Sequence, residues 1–302
     1  PCTADSGEGI FAHWDWDGKR LIARNDRYGF FPLFYVHDAD GVCVSPSLEK
    51  LIEQGAPARL NEIGLAVFLR LGWFIGDETP FEAIRAFPPG ATLEWQNGVC
   101  SVSSQGPTIA KPQSISYDEA IDRYATLFKA AIRRFVPPTC NFVVPLSGGR
   151  DSRHILLELH ETGLRPDACV TQLFSPKSTK EIDEDVAIAR QLCQALDIKH
   201  IVVDQCPSRL SAELRKNVLT DFCALEHAWG LPFTDRVTTG WDYVYDGIGG
   251  DVLSAGLFLT PKRLTLFAAG NFEALATERR DRDGYLQKFL PAREFKRRNR
   301  DL

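Results

Sequence analysis

From residue 116 onward the chain alternates two hydrophobic periods, and this alternation restricts its fold more than any other feature. Ser116-Tyr-Asp-Glu119 is a capping box. Behind it Ile121, Tyr124, Phe128, Ile132 and Phe135 recur at helical spacing. Asn141-Phe-Val-Val-Pro-Leu146 is an apolar strand run. Arg153 to Glu161 reads as a helix with Gly163 at its C-terminal cap. Ala168 to Phe174 is a strand, Glu181 to Leu196 a helix, Lys199 to Asp204 a strand, and Val244-Tyr245-Asp246 ends a fourth strand. Strands separated by helices of about 10–15 residues build right-handed βαβ units and therefore a parallel sheet. Ligands of such sheets lie beyond the carboxyl ends of the strands. The places to look follow residues 146, 174, 204 and 246.

The first hundred residues follow a different rule. Phe11-Ala-His-Trp-Asp15 and Leu21-Ile-Ala-Arg24 flank Asp17-Gly18, Leu33-Phe-Tyr-Val36 and Val42-Cys-Val-Ser45 flank Asp40-Gly41, and Ala91-Thr-Leu-Glu-Trp95 and Val99-Cys-Ser-Val102 flank Asn97-Gly98. Each dipeptide is a hairpin-turn signal. Two short helices, 47–54 and 61–70, lie between them, the second with Asn61 as N-cap. Trp14, Trp16, Phe30, Phe31, Phe34 and Tyr35 are expected in the core of this part. Residues 101–115 (SVSSQGPTIAKPQSI) have linker composition. A length of 302 residues fits about two domains.

Composition narrows the partners. With 44% hydrophobic and 25% charged residues the chain is an ordinary globular one. A net charge of −5 does not favour nucleic acid, and the basic run 293–300 reads as a solvated helix end. No window approaches the ~18 apolar residues of a membrane span. No secretory signal is visible, so a cytoplasmic location is expected. The eight cysteines show no metal-binding spacing and read as buried thiols. The chain starts at Pro1 and contains no Met, which reads as a trimmed or fragmentary chain.

Directly after the strand ending at 146 stands Ser147-Gly148-Gly149-Arg150-Asp151-Ser152, followed by helix. Two glycines let backbone approach an anion and adopt positive φ. Loop amides and the helix N-terminus favour negative charge, and Ser147 and Ser152 add hydroxyls. Phosphate alone would repel Asp151, so its presence points to Mg²⁺ bridging carboxylate and phosphate. Gly-x-x-x-x-Gly-Lys is absent, so this is not a P-loop. It resembles the pyrophosphate-binding PP-loop of ATP pyrophosphatases, which cleave ATP between the α and β phosphates to adenylate a substrate.

About a hundred residues on, Tyr245-Asp246-Gly247-Ile248-Gly249-Gly250-Asp251 is a second glycine-rich turn at a strand end. A parallel sheet can bring Asp251 opposite Asp151, two carboxylates suited to Mg²⁺. Taken together the two motifs resemble those of the asparagine synthetase (glutamine-hydrolysing) family, whose relatives include β-lactam synthetases and lasso-peptide cyclases. The SGGLDS loop of that family is matched by Ser147 to Ser152, and its SGEGSDE-like loop loosely by Asp246 to Asp251. Gly9 to Asp17, Leu21 to Tyr35, Thr79 to Ile84 and Phe87 to Gly90 look like segments of its glutaminase domain. The resemblance covers about residues 8–255.

The resemblance implies an α/β fold: a parallel-sheet PP-loop (adenine nucleotide α-hydrolase-like) domain preceded by a partial N-terminal-nucleophile, glutaminase-like β-rich domain of αββα layering. The expected boundaries are 1–105 for the glutaminase-like part without its catalytic Cys half, 106–115 for the linker, and 116–302 for a synthetase domain incomplete at its C-terminus. The implied reaction is ATP-dependent activation of a carboxylate as an acyl-adenylate, followed by attack of ammonia or an amine, with AMP and pyrophosphate released. Ser147, Gly148, Gly149 and Ser152 would hold the pyrophosphate, Asp151 and Asp251 Mg²⁺, and Leu146 and Gly247 would line the nucleotide pocket. Thr171 to Phe174 would wall the adenine, with plain core as the other reading of Phe174. The expected cofactors are ATP and Mg²⁺. The expected partners are a small-molecule or peptide carboxylate and an ammonia or amine donor, with a homodimer as a candidate assembly.

Departures from the family pattern leave the catalytic residues unassigned. Cys2 follows Pro1, is not followed by Gly, and reads as an ordinary cysteine. The family's Glu, or Tyr in the β-lactam branch, falls on Ile248, which cannot take a proton. Glu226 and His227, read in a helical stretch 221–229, are surface residues or replacement bases. Lys262, Lys288 and Lys296 match no catalytic context. Arg150, in place of Leu, reaches phosphate or is a surface residue. Asp183, Glu184 and Asp185 read as helix-dipole carboxylates. Three functions stay open: an asparagine synthetase using aspartate, a relative forming a lactam or macrocyclic peptide, and a degenerate nucleotide-binding scaffold.

Overall fold

The computed structural model describes residues 9–106, 113–136, 141–173, 183–254, 256 and 259–280. These form two units, one of 9–106, 216–226 and 276–280, the other of 113–215 and 227–275.

In the first unit β1 (Ala12–Trp16) pairs with β2 (Arg20–Asn25), and β3 (Phe34–His37) with β4 (Val42–Ser45). Helices α1 (Leu48–Glu53) and α2 (Glu62–Leu71) precede β5 (Arg85–Ala86) and the hairpin of β6 (Ala91–Gln96) and β7 (Val99–Ser104). The three turn signals sit where the sequence places them. Asn97 and Gly98 both have positive φ, 52° and 79°, which matches the right-handed twist of the flanking strands. Asp17 Oδ1 accepts from the Lys19 and Arg20 amides, each at 2.8 Å. Asn61 caps α2 by accepting from Gly64 N at 2.9 Å.

The strands make two antiparallel sheets, ordered β1-β2-β6-β7 and β4-β3-β5. Ala23, Leu33, Phe87, Ala91 and Leu93 fill one core with Tyr35, Val42 and Val44, so residues from both sheets meet in it. Phe34, Val36, Leu48, Leu51 and Ile84 form a second core, joining β3 to α1. Phe34 and Tyr35 are core residues as expected, but Trp14, Trp16 and Phe30 are 70%, 47% and 63% exposed. Trp14 pairs with Ala23, and Trp16 with Leu21, so both face the side that carries the core. They lie on the edge strand of their sheet.

Buried polar groups order the connections of this unit. Asn25 accepts from Ala91 N at 2.8 Å and donates to Pro88 O at 3.1 Å. The fully buried Asp26 carboxylate accepts from the Tyr28, Phe30 and Phe31 amides at 3.1, 3.1 and 2.8 Å. The segment 216–226 belongs here as well. Lys216 Nζ donates to Ala224 O at 2.6 Å and to Leu225 O at 2.9 Å. Asp221 accepts from Ser47 Oγ at 3.2 Å. Burial, with Asp221 adding to it, pushes the Cys223 thiol up to about 12. The expected helix over 221–229 does not form. Asp221, Phe222 and His227 adopt positive φ instead (48°, 59° and 77°).

The second unit contains α3 (Tyr117–Arg134), β8 (Phe142–Pro145), α4 (Arg150–Glu161), β9 (Ala168–Gln172), α5 (Glu184–Ala195) and β10 (His200–Val203). Next along the chain come α6 (Arg209–Leu219), whose last turn falls in the first unit, a 3₁₀ turn at Ala228–Gly230, α7 (Leu231–Val237), β11 (Tyr243–Val244), α8 (Gly250–Ser254), α9 (Pro261–Ala268) and α10 (Phe272–Arg280), whose second half also falls in the first unit. The strands form one parallel sheet in the order β10-β9-β8-β11. Alternate residues of β8 supply opposite cores. Phe142, Val144 and Leu146 pack with Leu156, Leu159, Ala189 and Cys193, while Val143 packs with Ala168, Val170 and Val237. A sheet buried on both faces leaves its strand ends for polar chemistry. Among the described residues the six cysteines are free, and no helix is long and apolar enough to cross a membrane. The neighbouring Cys193 thiol and burial push Cys169 up.

Candidate functional site

The site is built where β8 ends. Leu146 N donates to Val170 O at 2.9 Å, extending the ladder by one residue. Its side chain is buried in the core, so only its backbone faces a ligand. Its carbonyl accepts from Thr171 Oγ1 at 2.6 Å, and Thr171 Oγ1 lies 2.8 Å from His200 Nε2. Threonine has one hydroxyl hydrogen and gives it to Leu146, so His200 must donate from Nε2. Burial, with Arg190 adding to it, lowers the His200 pKa and keeps the ring neutral for that role. A three-member chain, buried at Leu146 and Thr171 and half-buried at His200, thus fixes the residue on which the loop hinges.

The loop satisfies itself. Ser147 N donates to Ser152 Oγ at 3.1 Å, and Gly149 N to Ser147 Oγ at 3.1 Å. The two hydroxyls share a further bond at 3.1 Å, which uses one of their two hydrogens. Gly148 N donates to Asp185 Oδ1 at 2.6 Å. Neither Gly148 nor Gly149 has positive φ, and Gly149 is at −70°. The glycines serve close approach instead. A Cβ at Gly148 would stand 2.7 Å from Asp185 Oδ1 and 3.0 Å from Ile188 Cδ1.

Helix α4 begins at Arg150, three residues before the expected Arg153, so the second half of the motif is its first turn. Gly149 is the N-cap and provides no side-chain bond. The first-turn amides are the donors a helix leaves over, and they carry its positive dipole end. Arg153 Nε donates back to Gly149 O at 3.0 Å.

The second glycine turn closes on the first. A Cβ at Gly250 would lie 2.7 Å from Asp151 Cγ, and one at Gly247 would lie 3.1 Å from Ile155 Cδ1 and 3.5 Å from Ser152 N. Gly249 has φ +81°. Asp251 stands in the first turn of α8 and accepts from its neighbour Val252 N at 2.8 Å. Asp246 has a carboxyl held above the usual range by desolvation, against the pull of the Gly247 and Ile248 amides.

An open cleft of about 1370 Å³ collects Ser147, Gly149, Asp151 and Asp251 with Arg150, Arg153, Tyr117 and Tyr124. His154 lines it and stacks on Phe128 at 3.9 Å between ring centroids. Leu146, Gly148, Ser152 and Gly247 lie behind that surface as its frame. Gln172, the last residue of β9, has a buried Oε1 without a partner. Ile248 is 76% exposed. Glu226 and His227 fall in different units. Lys262 opens α9. Cys2, Phe174, Lys288, Lys296 and the run 293–300 lie outside the described residues. Among the described residues no three His, Cys, Asp or Glu side chains form a metal-binding group. Sequence reasoning makes Asp185 a helix-dipole carboxylate and misses its contact with Gly148, which spans 37 residues.

Residues 2–105 match the family model of a glutamine amidotransferase domain. The protein is therefore a mixed α/β chain with an N-terminal domain of glutamine amidotransferase type and a parallel sheet after it. It is also similar to asparagine synthetase (glutamine-hydrolyzing) 3 of Bacillus subtilis (strain 168), with 28% identity over 161 residues. That match takes in 50% of this chain and 25% of the relative's length.

Proposed function

We propose that this chain is the core of an ATP-dependent amide-forming ligase of asparagine synthetase type, with the second unit as a PP-loop nucleotide domain. The observation that carries this reading is the meeting of Asp151 and Asp251 on one cleft at the carboxyl end of β8, beside the uncapped first turn of α4. The residues fit ATP with Mg²⁺. First-turn amides and one spare serine hydroxyl suit phosphate oxygens. Two carboxylates without a third ligand suit a cation that keeps waters and shares phosphate oxygens. The glycines at 247 and 250 leave the space beside Asp151 that any other residue would fill.

In this reading a substrate carboxylate oxygen forms a bond to the α-phosphorus of ATP, and the α–β bond breaks to release pyrophosphate. Ammonia or an amine then forms the amide and displaces AMP. Bound Mg²⁺ supplies charge neutralisation at the phosphates. The chain's own part is to orient. The α4 amides and serine hydroxyl hold the leaving pyrophosphate, Asp151 and Asp251 hold the cation, and the Leu146 backbone and Gly247 border the nucleotide. Arg150 and Arg153 give the cleft the positive charge that an anionic acceptor substrate needs. The similarity of residues 2–105 to a glutamine amidotransferase domain supports ammonia as the nucleophile.

Pyrophosphate release from ATP, with Mg²⁺ and a panel of carboxylates, tests the reading. Stimulation by one acid, abolished in Asp151→Ala, is the expected result. Undiminished release in that variant would sink the Mg²⁺ assignment. Ile248, exposed where the resemblance places Glu or Tyr, favours a relative that forms another amide, and a third reading is a cleft that binds ATP but turns nothing over. ATP binding without release for every acid would establish it. If release occurs with a peptide or a β-amino acid and not with aspartate, the chain is of the macrocycle- or lactam-forming kind.

A further inference from the structure

The three amides of the loop after β8 have acceptors that differ in kind. Those of Ser147 and Gly149 are neutral hydroxyls, Ser152 Oγ and Ser147 Oγ. That of Gly148 is the Asp185 carboxylate, at 2.6 Å. Asp185 stands in the first turn of α5, whose N-cap Asp183 accepts from Val186 N at 3.2 Å, so the helix end already has its own cap. Asp185 is therefore not needed for capping, and its side chain turns to the loop. The contact is built in: Gly148 is a residue that can come this close, and Ile188 from the next turn closes the other side.

We propose that Asp185 is a specificity residue of the anion loop, placing a fixed negative charge beside it so that the site accepts metal-complexed pyrophosphate and rejects the free anion. The inference rests on the nucleotide reading of the cleft. A free pyrophosphate would bring its charge next to Asp185, Asp151 and Asp251 together. Complexed with a divalent cation, it arrives with most of that charge neutralised and the penalty from Asp185 falls. The hydrogen bond that Asp185 accepts from Gly148 N also holds the loop in its anion-ready shape before any ligand arrives, so Asp185 positions the loop with one oxygen and screens ligands with its charge.

The two roles separate by substitution. Asp185→Asn keeps an acceptor for Gly148 and removes the charge, whereas Asp185→Ala removes both. Calorimetric titration of the full chain with sodium pyrophosphate, with and without Mg²⁺, reads each form. Asp185→Asn should bind free pyrophosphate on the order of tenfold more tightly, as expected for one unit charge a few ångströms away in a partly exposed site, and change the Mg²⁺ complex by less than about threefold. Asp185→Ala should weaken the complex. Glu184→Gln, at the same helix end and exposed, should change neither form more than about twofold. Should the Asn variant fail to fold, Asp185→Ser supplies another uncharged acceptor, with thermal unfolding as the check. Unchanged affinity for the free anion in Asp185→Asn would overturn the inference while leaving the nucleotide reading intact. A tenfold loss of the Mg²⁺ complex in that variant would overturn it too, by making Asp185 a metal ligand. If the native chain binds neither form, the reading of the cleft falls and the inference with it.

Discussion

The polar groups inside the first unit and those on the cleft of the second are bonded in opposite ways. In the first, Asn25, Asp26 and Thr79 are enclosed, and each bonds to backbone of its own unit. Thr79 Oγ1 meets Ile84 O at 2.8 Å, and Asp26 gathers three amides. The second unit encloses Thr171 in the same way, but Ser147, Asp151 and Asp251 stand on an open cleft, and part of their bonding capacity is left over. Polar residues that use every bond internally hold a shape. Polar residues that stop short of it, beside a helix N-terminus, are prepared for something else to complete them.

Substitutions can press on this contrast. Asp26→Ala should cost the most, about 3–5 kcal/mol, because three amides lose their acceptor in a site closed to water. Urea unfolding followed by fluorescence measures it. A loss below about 1 kcal/mol would mean that the first unit's polar network is not structural. Thr171→Val should cost about 1–2 kcal/mol by stranding both Leu146 O and His200 Nε2–H, and Thr171→Ser should restore most of it. Equal stability of the Val variant would break the view that the loop's foundation behaves like the first unit.

Gly250→Ala should leave stability within about 0.5 kcal/mol. A methyl group 2.7 Å from Asp151 Cγ must nevertheless turn that carboxylate aside, and Mg²⁺-pyrophosphate affinity should fall about fivefold to tenfold. Unchanged affinity would remove Asp151 from the ligand's reach. The smallest effect concerns pH. The folded pKa of His200 lies below its ordinary 6.5, so the unfolded chain takes up this proton first. That share of stability is intact above pH 6.5 and drains away as pH falls towards the folded value. In His200→Gln, whose amide can still donate to Thr171, the acid-side slope should flatten. An unaltered slope would show that other groups set it.

Much of this was legible before any coordinates. The Asp-Gly and Asn-Gly turns located the hairpins, because their positive-φ positions admit few other residues. The parallel sheet followed from alternating periods. Other features depend on distances that sequence spacing does not encode. Trp14 and Trp16 lie on the core-bearing face, but they stand on the edge strand and stay exposed. Helix α4 starts early because Arg150 and Asp151 look like loop residues until the uncapped Gly149 is seen. Asp183, Glu184 and Asp185 are equivalent on paper, and only folding makes one an N-cap and another the partner of Gly148. The stretch 221–229 has helical composition, and Lys216 and Asp221 bind it in a non-helical form.

Strand β8 has β9 on one side and β11 on the other. The chain runs from β8 to β9 and β10 on one side and returns to β11 on the other, so the opening above β8 joins the route of the chain to the small residues at 247 and 250. Tyr117 and Tyr124 on α3, and Gln191 and Leu192 on α5, border the cleft without belonging to any strand end. Such walls can be exchanged by drift while the strand-end loops stay as they are. A lineage built on this plan could change what it grips at the outer rim many times over and inherit its inner grip unchanged.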